Sequence, residues 1–214
     1  MPDHSVASAL LNVGAVGFQP QQPITFKSGI ISPVYVDNRR LPFHPEAWHT
    51  VIEAFAEVTQ ADFAHGDVIA GVAVGGVPHS AALSYVLRRP SVFVRKEAKG
   101  HGKQQLIEGG DVAGRRVLLI EDLVTTGSSS LAAVDALRAA QAEVIGVLAI
   151  VQYGFREAAA NFAAAGVPLR TLTHFSAILD EALSRGALNE AQAAVVRDWF
   201  SDPHGWAARQ GFAI

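Results

Sequence analysis

Two carboxylates followed by small hydroxyl residues form the part of this sequence best suited to chemistry. They lie in residues 121–130, directly after the apolar residues 117–120. Carboxylates accept hydrogen bonds from sugar hydroxyls or steady a metal ion that a ligand carries. Hydroxyls at the start of a helix suit a phosphate, because the first N–H groups are unpaired and the helix dipole is positive there. The segment therefore predicts a sugar-phosphate site, against the alternative of a capped helix beside two unrelated acids.

The order of residues in this segment resembles the ribose-5-phosphate loop of type I phosphoribosyltransferases. That loop has an apolar strand, two acids, two further residues and then Thr-x-Gly followed by Ser or Thr. We expect Glu121 and Asp122 to face the ribose, since carboxylates beside the phosphate would repel it. The resemblance implies contacts with phosphoribosyl pyrophosphate from Glu121, Asp122, Leu123, Val124, Thr125, Thr126, Gly127, Ser128 and Ser129.

A second segment, residues 95–103, carries four lysine or arginine side chains and one histidine, interleaved with glycines. Glycines lower the cost of a large backbone movement. A basic lid that closes over phosphates excludes water and places positive charge where negative charge develops. The segment therefore predicts such a lid, and the alternative is a solvated surface hairpin.

The string Arg-Lys-Glu-Ala-Lys-x-His-Gly in this segment resembles the catalytic loop of orotate phosphoribosyltransferases. Adenine and hypoxanthine relatives do not carry it. The resemblance implies a homodimer in which the lid reaches across the interface. Lys99 and His101 would contact pyrophosphate, and Lys96, alone or with Arg95, would serve its own site or the neighbouring one.

Residues 26–37 are similar to the N-terminal signature of the same family, Lys-Ser-Gly-x-x-Ser-Pro followed by aromatic residues. The resemblance implies that Lys27 pairs with the carboxylate of orotate and that Tyr35 covers the pyrimidine ring. Taken alone, Lys27 would be interpreted as an exposed lysine on a β-hairpin. Thr125 is also expected to contact the base.

The sequence departs from the family pattern at two positions. Tyr153 stands where several relatives have an arginine that binds orotate, so Tyr153 itself, Arg156, Gln152 or backbone amides remain candidates for that role. Gly75 stands where some relatives have a lysine that reaches pyrophosphate. Bare backbone amides near Gly75 can hold an anion instead, and this stretch matches neither the P-loop nor the dinucleotide-binding pattern.

Composition narrows the possible functions further. A chain of 214 residues, half of them hydrophobic, is long enough for one sizeable domain, and a net charge of −3 gives no sign of a nucleic-acid surface. The absence of cysteine excludes disulfides, thiol nucleophiles and cysteine metal sites and is compatible with a cytoplasmic protein. No apolar run reaches membrane-spanning length. The histidines form no metal-binding pattern, so we expect no protein-built metal site, with Mg2+ carried mainly by the substrate.

The remaining pattern predicts an α/β fold, namely a central parallel sheet flanked by helices, because strands and helices alternate. Strands are predicted at 68–72, 91–95, 117–120, 144–151 and 169–173, with helices at 44–59, 78–87, 128–140 and 157–165. A helix near 6–16 and short strands at 24–27 and 34–37 would form a small N-terminal hood, about residues 1–42, of a single domain spanning 1–214. The loops at 73–77, 96–104 and 121–130 should converge at the carboxyl edge of the sheet.

The resemblance to orotate phosphoribosyltransferases runs from about residue 22 to the C-terminus. It implies Mg2+-dependent transfer of ribose 5-phosphate from phosphoribosyl pyrophosphate to orotate in pyrimidine nucleotide synthesis, with Lys99, His101 and Asp122 as catalytic residues. Two alternatives remain open. One is a phosphoribosyltransferase for another base, and the other is a non-catalytic regulator that binds phosphoribosyl pyrophosphate.

Overall fold

The structure is a computed structural model that describes residues 2–26, 29–97 and 106–212. The strands, in chain order, are β1 (Val16–Phe18), β2 (Ile24–Thr25), β3 (Ile31–Ser32), β4 (Val34–Val36), β5 (Val68–Val72), β6 (Ser91–Val94), β7 (Ile107–Glu108), β8 (Arg116–Val124), β9 (Glu143–Gln152) and β10 (Leu169–His174). The helices are α1 (Pro2–Asn12), α2 (Pro45–Asp62), α3 (Gly76–Leu87), α4 (Ser128–Ala139), α5 (Arg156–Ala165), α6 (Phe175–Ser184), α7 (Glu190–Ser201) and α8 (Trp206–Arg209), with a 3-10 helix at Asn38–Phe43.

A six-stranded sheet in the order β10-β9-β8-β5-β6-β7 forms the centre of the molecule. Its strands are parallel except β7, which pairs antiparallel with β6. Because side chains alternate along a strand, Leu118 and Ile120 of β8 enter one apolar core and Val117 and Leu119 enter the other. Both faces of the sheet are therefore covered, which explains the continuous apolar runs of its strands and confirms the predicted fold class.

Strand β8 corrects one prediction of the sequence analysis. The strand was expected to end at Ile120, but it continues to Val124 and includes both carboxylates. The reason is that β9 also runs on to Gln152 and pairs with β8 along the whole extension, with Leu123 opposite Val151. Glu121 and Asp122 therefore belong to the sheet, and the hydroxyl loop begins only at Thr125.

The N-terminal region contains two separate two-stranded sheets. The strands expected at 24–27 and 34–37 are present in shorter form as β2 and β4, and β2 pairs with β3 whereas β4 pairs with β1. Helix α1 lies earlier in the chain than the predicted helix near 6–16. It ends before Gly14, which adopts a φ of 63°, and its buried side chains Val6 and Leu10 belong to the same apolar core as α2 and α6. In the described residues, no helix is both long and apolar enough to cross a membrane.

Candidate active site

The carboxyl edge of the sheet brings together two of the three predicted loops. The turn after β5 leads into α3 at Gly76, and the loop after β8 leads into α4 at Ser128. A side chain on Gly75 would overlap the carboxylate of Asp122, and one on Gly76 would overlap the carbonyl oxygen of Ile120. The start of α3 thus lies directly against the end of β8, which only glycine permits at these two positions.

The two acids of β8 have different neighbours, although their side chains also lie close enough to interact with each other. Glu121 faces α4, where its Oε2 accepts hydrogen bonds from Ser130 Oγ at 3.0 Å and from Ser129 Oγ at 3.4 Å. Asp122 is half-buried and faces the start of α3. Although the two acids are neighbours in the chain, they do not occupy equivalent positions. Asp122 lies beside the turn that follows β5, whereas Glu121 lies beside α4.

Burial changes the acidity of Glu121. Its side chain is 4% exposed, and desolvation, with the charge of Asp122 as a smaller cause, raises the pKa of Glu121 to about 8. Ser130, which the sequence analysis did not single out, and the N–H of Asp122 at 3.2 Å partly offset this by donating to the carboxylate. Glu121 therefore holds a proton near neutral pH in the ligand-free chain.

Replacing Glu121 with glutamine is expected to make the protein less sensitive to alkaline pH. The folded carboxyl keeps a proton that the unfolded chain releases above about pH 4.5, so stability is lost as pH rises from there to about 8. Glutamine does not titrate. When the pH rises from 5.5 to 8.5, the free energy of unfolding of the parent should fall by about 2–3 kcal/mol more than that of Glu121→Gln, or by about 5–10 °C more in Tm. Thermal unfolding at both pH values measures this, and a difference independent of pH would contradict it.

Asn38 makes a contact with the backbone of Asp122 that is not visible in the sequence. The Asn38 side chain is 1% exposed, and its Nδ2 donates to the carbonyl oxygen of Asp122 at 2.7 Å. This contact joins the 3-10 helix after β4 to the carboxyl end of β8 across 84 positions of sequence. No spacing or composition signal marks such a contact, which explains why sequence reasoning missed Asn38.

His79 of α3 is a second buried residue near Asp122. Its Nδ1 accepts a hydrogen bond from Trp48 Nε1 at 3.0 Å. Burial lowers the pKa of His79 to about 4, and the negative charge of Asp122 only partly opposes this shift. The imidazole is therefore neutral at physiological pH and adds no positive charge to the site.

The hydroxyl loop has the form expected of an anion site. Gly127 adopts a φ of 85° immediately before α4, and Thr126 Oγ1 and Ser128 Oγ lie 2.9 Å apart. Asn161 of α5 donates to the carbonyl of Thr126 at 3.0 Å and so holds the loop from outside. Ser128 and Ser129 are exposed, and the first N–H groups of α4 have no partner within the helix.

The two apolar residues between the acids and the hydroxyls differ in position. Leu123 is half-buried, whereas the Val124 side chain is 1% exposed and belongs to the apolar core. The carbonyl of Val124 accepts a hydrogen bond from the N–H of Tyr153 at 3.1 Å. A ligand at this edge would therefore meet at most the backbone of Val124.

Tyr153 lies inside an aromatic cluster at the end of β9. It is 4% exposed, stacks on Phe155 with ring centroids 5.5 Å apart, and packs against Phe26 at 5.7 Å. Burial, with the nearby Tyr35 as a smaller cause, raises the pKa of Tyr153. Tyr35 is half-buried on β4 and donates its hydroxyl hydrogen to Asp37 Oδ2 at 2.9 Å. The structure thus brings the two tyrosines to the same side of the site.

The lid is described only at its ends. Arg95 follows β6, and its Nη1 lies 3.1 Å from Glu108 Oε1 of β7, while its N–H donates to the carbonyl of Leu106 at 2.8 Å. Lys96 is exposed beside it. Lys27, Lys99 and His101 lie outside the described residues, and so does most of the predicted lid. Among the described residues, no group of three or more His, Asp or Glu side chains could hold a metal ion.

The whole chain is similar to several known proteins. The phosphoribosyl transferase domain family matches residues 41–182. The orotate phosphoribosyltransferase of Bacillus caldolyticus is 43% identical over 205 residues, which cover 96% of this chain and 99% of that protein. The crystal structure of orotate phosphoribosyltransferase from Aeropyrum pernix is 32% identical with a TM-score of 0.75, covering 86% of this chain and 99% of that one. The Mycobacterium tuberculosis H37Rv orotate phosphoribosyltransferase in complex with 5-phospho-alpha-D-ribosyl 1-diphosphate is 30% identical with a TM-score of 0.63, covering 81% of this chain and 98% of that one.

Proposed function

The chain belongs to the orotate phosphoribosyltransferase family, and we propose on that premise that it makes orotidine 5′-monophosphate. The reaction transfers ribose 5-phosphate from phosphoribosyl pyrophosphate to N1 of orotate and releases pyrophosphate, a step of UMP biosynthesis. The observation that carries the proposal is the hydroxyl loop 125–129 at the carboxyl end of β8, with Asp122 of the same strand against the start of α3.

The 5-phosphate is bound by the hydroxyl loop. The N–H groups that open α4 and the side chains of Thr125, Thr126, Ser128 and Ser129 supply donors, and the dipole of α4 favours the negative charge. Glu121 accepts hydrogen bonds from Ser129 and Ser130 and so holds the loop in place. Of the two acids, it lies nearer to the bound phosphate. Its protonated state avoids repulsion of the phosphate.

The transition state separates charge. Breaking the C1–O bond builds positive charge on the ribose ring, while the departing pyrophosphate gains negative charge. Asp122 accepts hydrogen bonds from ribose hydroxyls and stabilises the cationic ring, and Arg95, Lys96, Lys99 and His101 stabilise pyrophosphate. The nucleophile is a nitrogen of the substrate, so the protein supplies no nucleophile of its own.

Magnesium is the metal that the family implies. Mg2+ prefers oxygen ligands, keeps several waters and usually takes one or two carboxylates plus substrate phosphates. The half-buried carboxylate of Asp122 would be available to a metal held mainly by pyrophosphate and ribose oxygens. When bound, the metal neutralises part of the charge that pyrophosphate gains.

Orotate binds on the side of the N-terminal hood. We propose that this hood comprises about residues 1–42 of a single domain spanning 1–214. Lys27 pairs with the carboxylate of orotate, and Tyr35 covers its ring. Thr125, the first residue of the hydroxyl loop, also contacts the base, and Tyr153 closes the base site from within its aromatic cluster. The packing of Phe26, which directly precedes Lys27, on Tyr153 supports one shared base site.

We further propose a homodimer that shares the lid. Helix α3 begins in the site at Gly76 and carries Tyr85, which is 86% exposed, and Val86, which is 55% exposed. Exposed apolar residues grouped on one helix mark interaction surfaces more often than chance. A second copy packed on α3 would bring its lid near this site.

A cysteine-free chain also suits the reducing cytoplasm in which we place the reaction.

The first experiment mixes purified protein, phosphoribosyl pyrophosphate and MgCl2 with orotate, adenine, hypoxanthine or uracil in parallel, and follows ultraviolet absorbance. We expect consumption of orotate alone, and no reaction after removal of the metal with EDTA. Consumption of another base would replace the base assignment, and binding of phosphoribosyl pyrophosphate without any turnover would indicate a regulator. Light scattering on the same preparation should give twice the 22.6 kDa chain mass if the dimer forms.

A further inference from the structure

The hairpin formed by β2 and β3 has little support from its own hydrogen bonds. It has two paired positions, Ile24 with Ser32 and Thr25 with Ile31, and one flanking hydrogen bond from the N–H of Phe26 to the carbonyl of Ile30 at 2.8 Å. It joins no other sheet among the described residues. An isolated two-stranded hairpin is marginally stable at best in water. Packing from another element must therefore hold it in place.

Trp199 of α7 provides part of that packing, and helix α8 also lies against β3. The Trp199 side chain is completely buried, and its Nε1 donates to the carbonyl oxygen of Ile31 at 2.8 Å. The same indole meets the ring of Phe26 edge to face, with centroids 6.2 Å apart and an interplanar angle of 87°. One residue near the C-terminus thus holds both arms of the hairpin, since Phe26 directly follows β2 and Ile31 begins β3.

The hairpin is joined to the active site through one aromatic ring. Phe26 packs on Tyr153, and Trp199 meets the same tyrosine at 5.6 Å. The N–H of Tyr153 donates to the carbonyl of Val124, the last residue of β8 before the hydroxyl loop. A displacement of the hairpin would therefore move Tyr153, on the base side of the site, more than it would move the hydroxyl loop.

We propose that Trp199 is a positioning residue for orotate, holding the β2–β3 hairpin against the base side of the site through its hydrogen bond to Ile31. This inference rests on the proposed function. It assigns to the C-terminal helix α7 a part in base binding that is separate from the binding of phosphoribosyl pyrophosphate. Loss of the indole N–H would leave the carbonyl of the half-buried Ile31 without its donor and loosen the hairpin.

The test compares steady-state kinetics of Trp199→Phe with the parent. Phenylalanine keeps an aromatic ring but removes the N–H donor. We expect the KM for orotate to rise about tenfold, the loss of one good hydrogen bond, while the KM for phosphoribosyl pyrophosphate stays within about twofold. A merely structural role would lower the Tm without separating the two KM values.

Trp206→Phe is the matched control. Trp206 is as completely buried as Trp199, but its indole nitrogen has no hydrogen-bond partner among the residues that the structure describes. Helix α8, which carries Trp206, also packs on β3, so Trp206→Phe tests packing against the hairpin without the loss of a hydrogen bond. It should lower the Tm and keep the orotate KM of the parent. Phe26→Leu removes the contact with the other arm and should raise the orotate KM as Trp199→Phe does, and it decides the question if Trp199→Phe does not fold.

Two results would overturn the inference. One is an unchanged orotate KM in a folded Trp199→Phe, or in Phe26→Leu if Trp199→Phe does not fold, and the other is an equal rise of both KM values. Failure of the proposed function is a separate outcome, because the unmodified protein would then not consume orotate at all.

Discussion

Asp122→Asn is expected to lower kcat by about 100-fold while changing the KM for phosphoribosyl pyrophosphate much less. Removing one preorganised electrostatic group from a transition state typically costs about 100- to 1,000-fold. Asparagine has nearly the same shape and still accepts a hydrogen bond from a ribose hydroxyl, but it lacks the negative charge that opposes the cationic ring. The hydrogen bond from Asn38 goes to the backbone carbonyl of Asp122, so it survives the substitution.

Asp135→Asn is the control for the change in net charge. Asp135 is exposed on α4 and should keep the kcat of the parent. Steady-state kinetics of both variants with orotate measure the effect. A kcat for Asp122→Asn within fivefold of the parent would remove the charge of Asp122 from the mechanism, whereas a change confined to KM would restrict Asp122 to ground-state binding.

Gly76→Ala is expected to damage both stability and activity. The new methyl group would overlap the carbonyl oxygen of Ile120, and that residue lies in β8 between two paired strands, so it has little freedom to move. Overpacking of this kind costs about 1–3 kcal/mol, or about 2–12 °C in Tm for a chain of this size. Since α3 starts at this residue, a shift of about 1 Å in the turn before it would lower kcat/KM by about 100-fold.

Gly110→Ala separates this clash from the general effect of adding a methyl group. The nearest atom to a Cβ on Gly110 is Val92 Cγ1 at 3.9 Å, which is ordinary contact. Thermal unfolding and kcat/KM of the two variants are compared, and Gly110→Ala should match the parent. If Gly76→Ala also matched it, the close approach of α3 to β8 would not be needed for the reaction.

The alternation of strands and helices could be predicted from local pattern alone. Buried parallel strands are apolar along their whole length, so the runs around 68–72 and 144–151 were recognisable without knowledge of their partners. The end of β8 was not, because the acids at 121 and 122 interrupt the apolar run although pairing with β9 continues. Strand pairing depends on the neighbour, and a single segment of sequence does not contain it.

The residues of the site likewise divide into those that local sequence identifies and those whose surroundings only the fold determines. The order of acids, threonines, glycine and serines in 121–129 and the basic string 95–103 determined the sugar-phosphate chemistry and the family, since both motifs are contiguous in the chain. The roles of Lys27, Lys99 and His101 stay predictions from that resemblance. Only the tertiary structure separated Glu121 from Asp122, giving the first a buried environment facing α4 and the second a place against α3.

Contacts between distant segments were likewise decided by the tertiary structure. Asn38 reaches Asp122, and Trp199 reaches Ile31 across 168 positions. The sequence by itself determined which chemical groups this protein has, because residue type and local spacing set hydrogen-bonding capacity and helix or strand preference. The fold alone decided which of those groups are desolvated and which backbone atoms they meet, because burial and long-range hydrogen bonds arise only when strands and helices pack together.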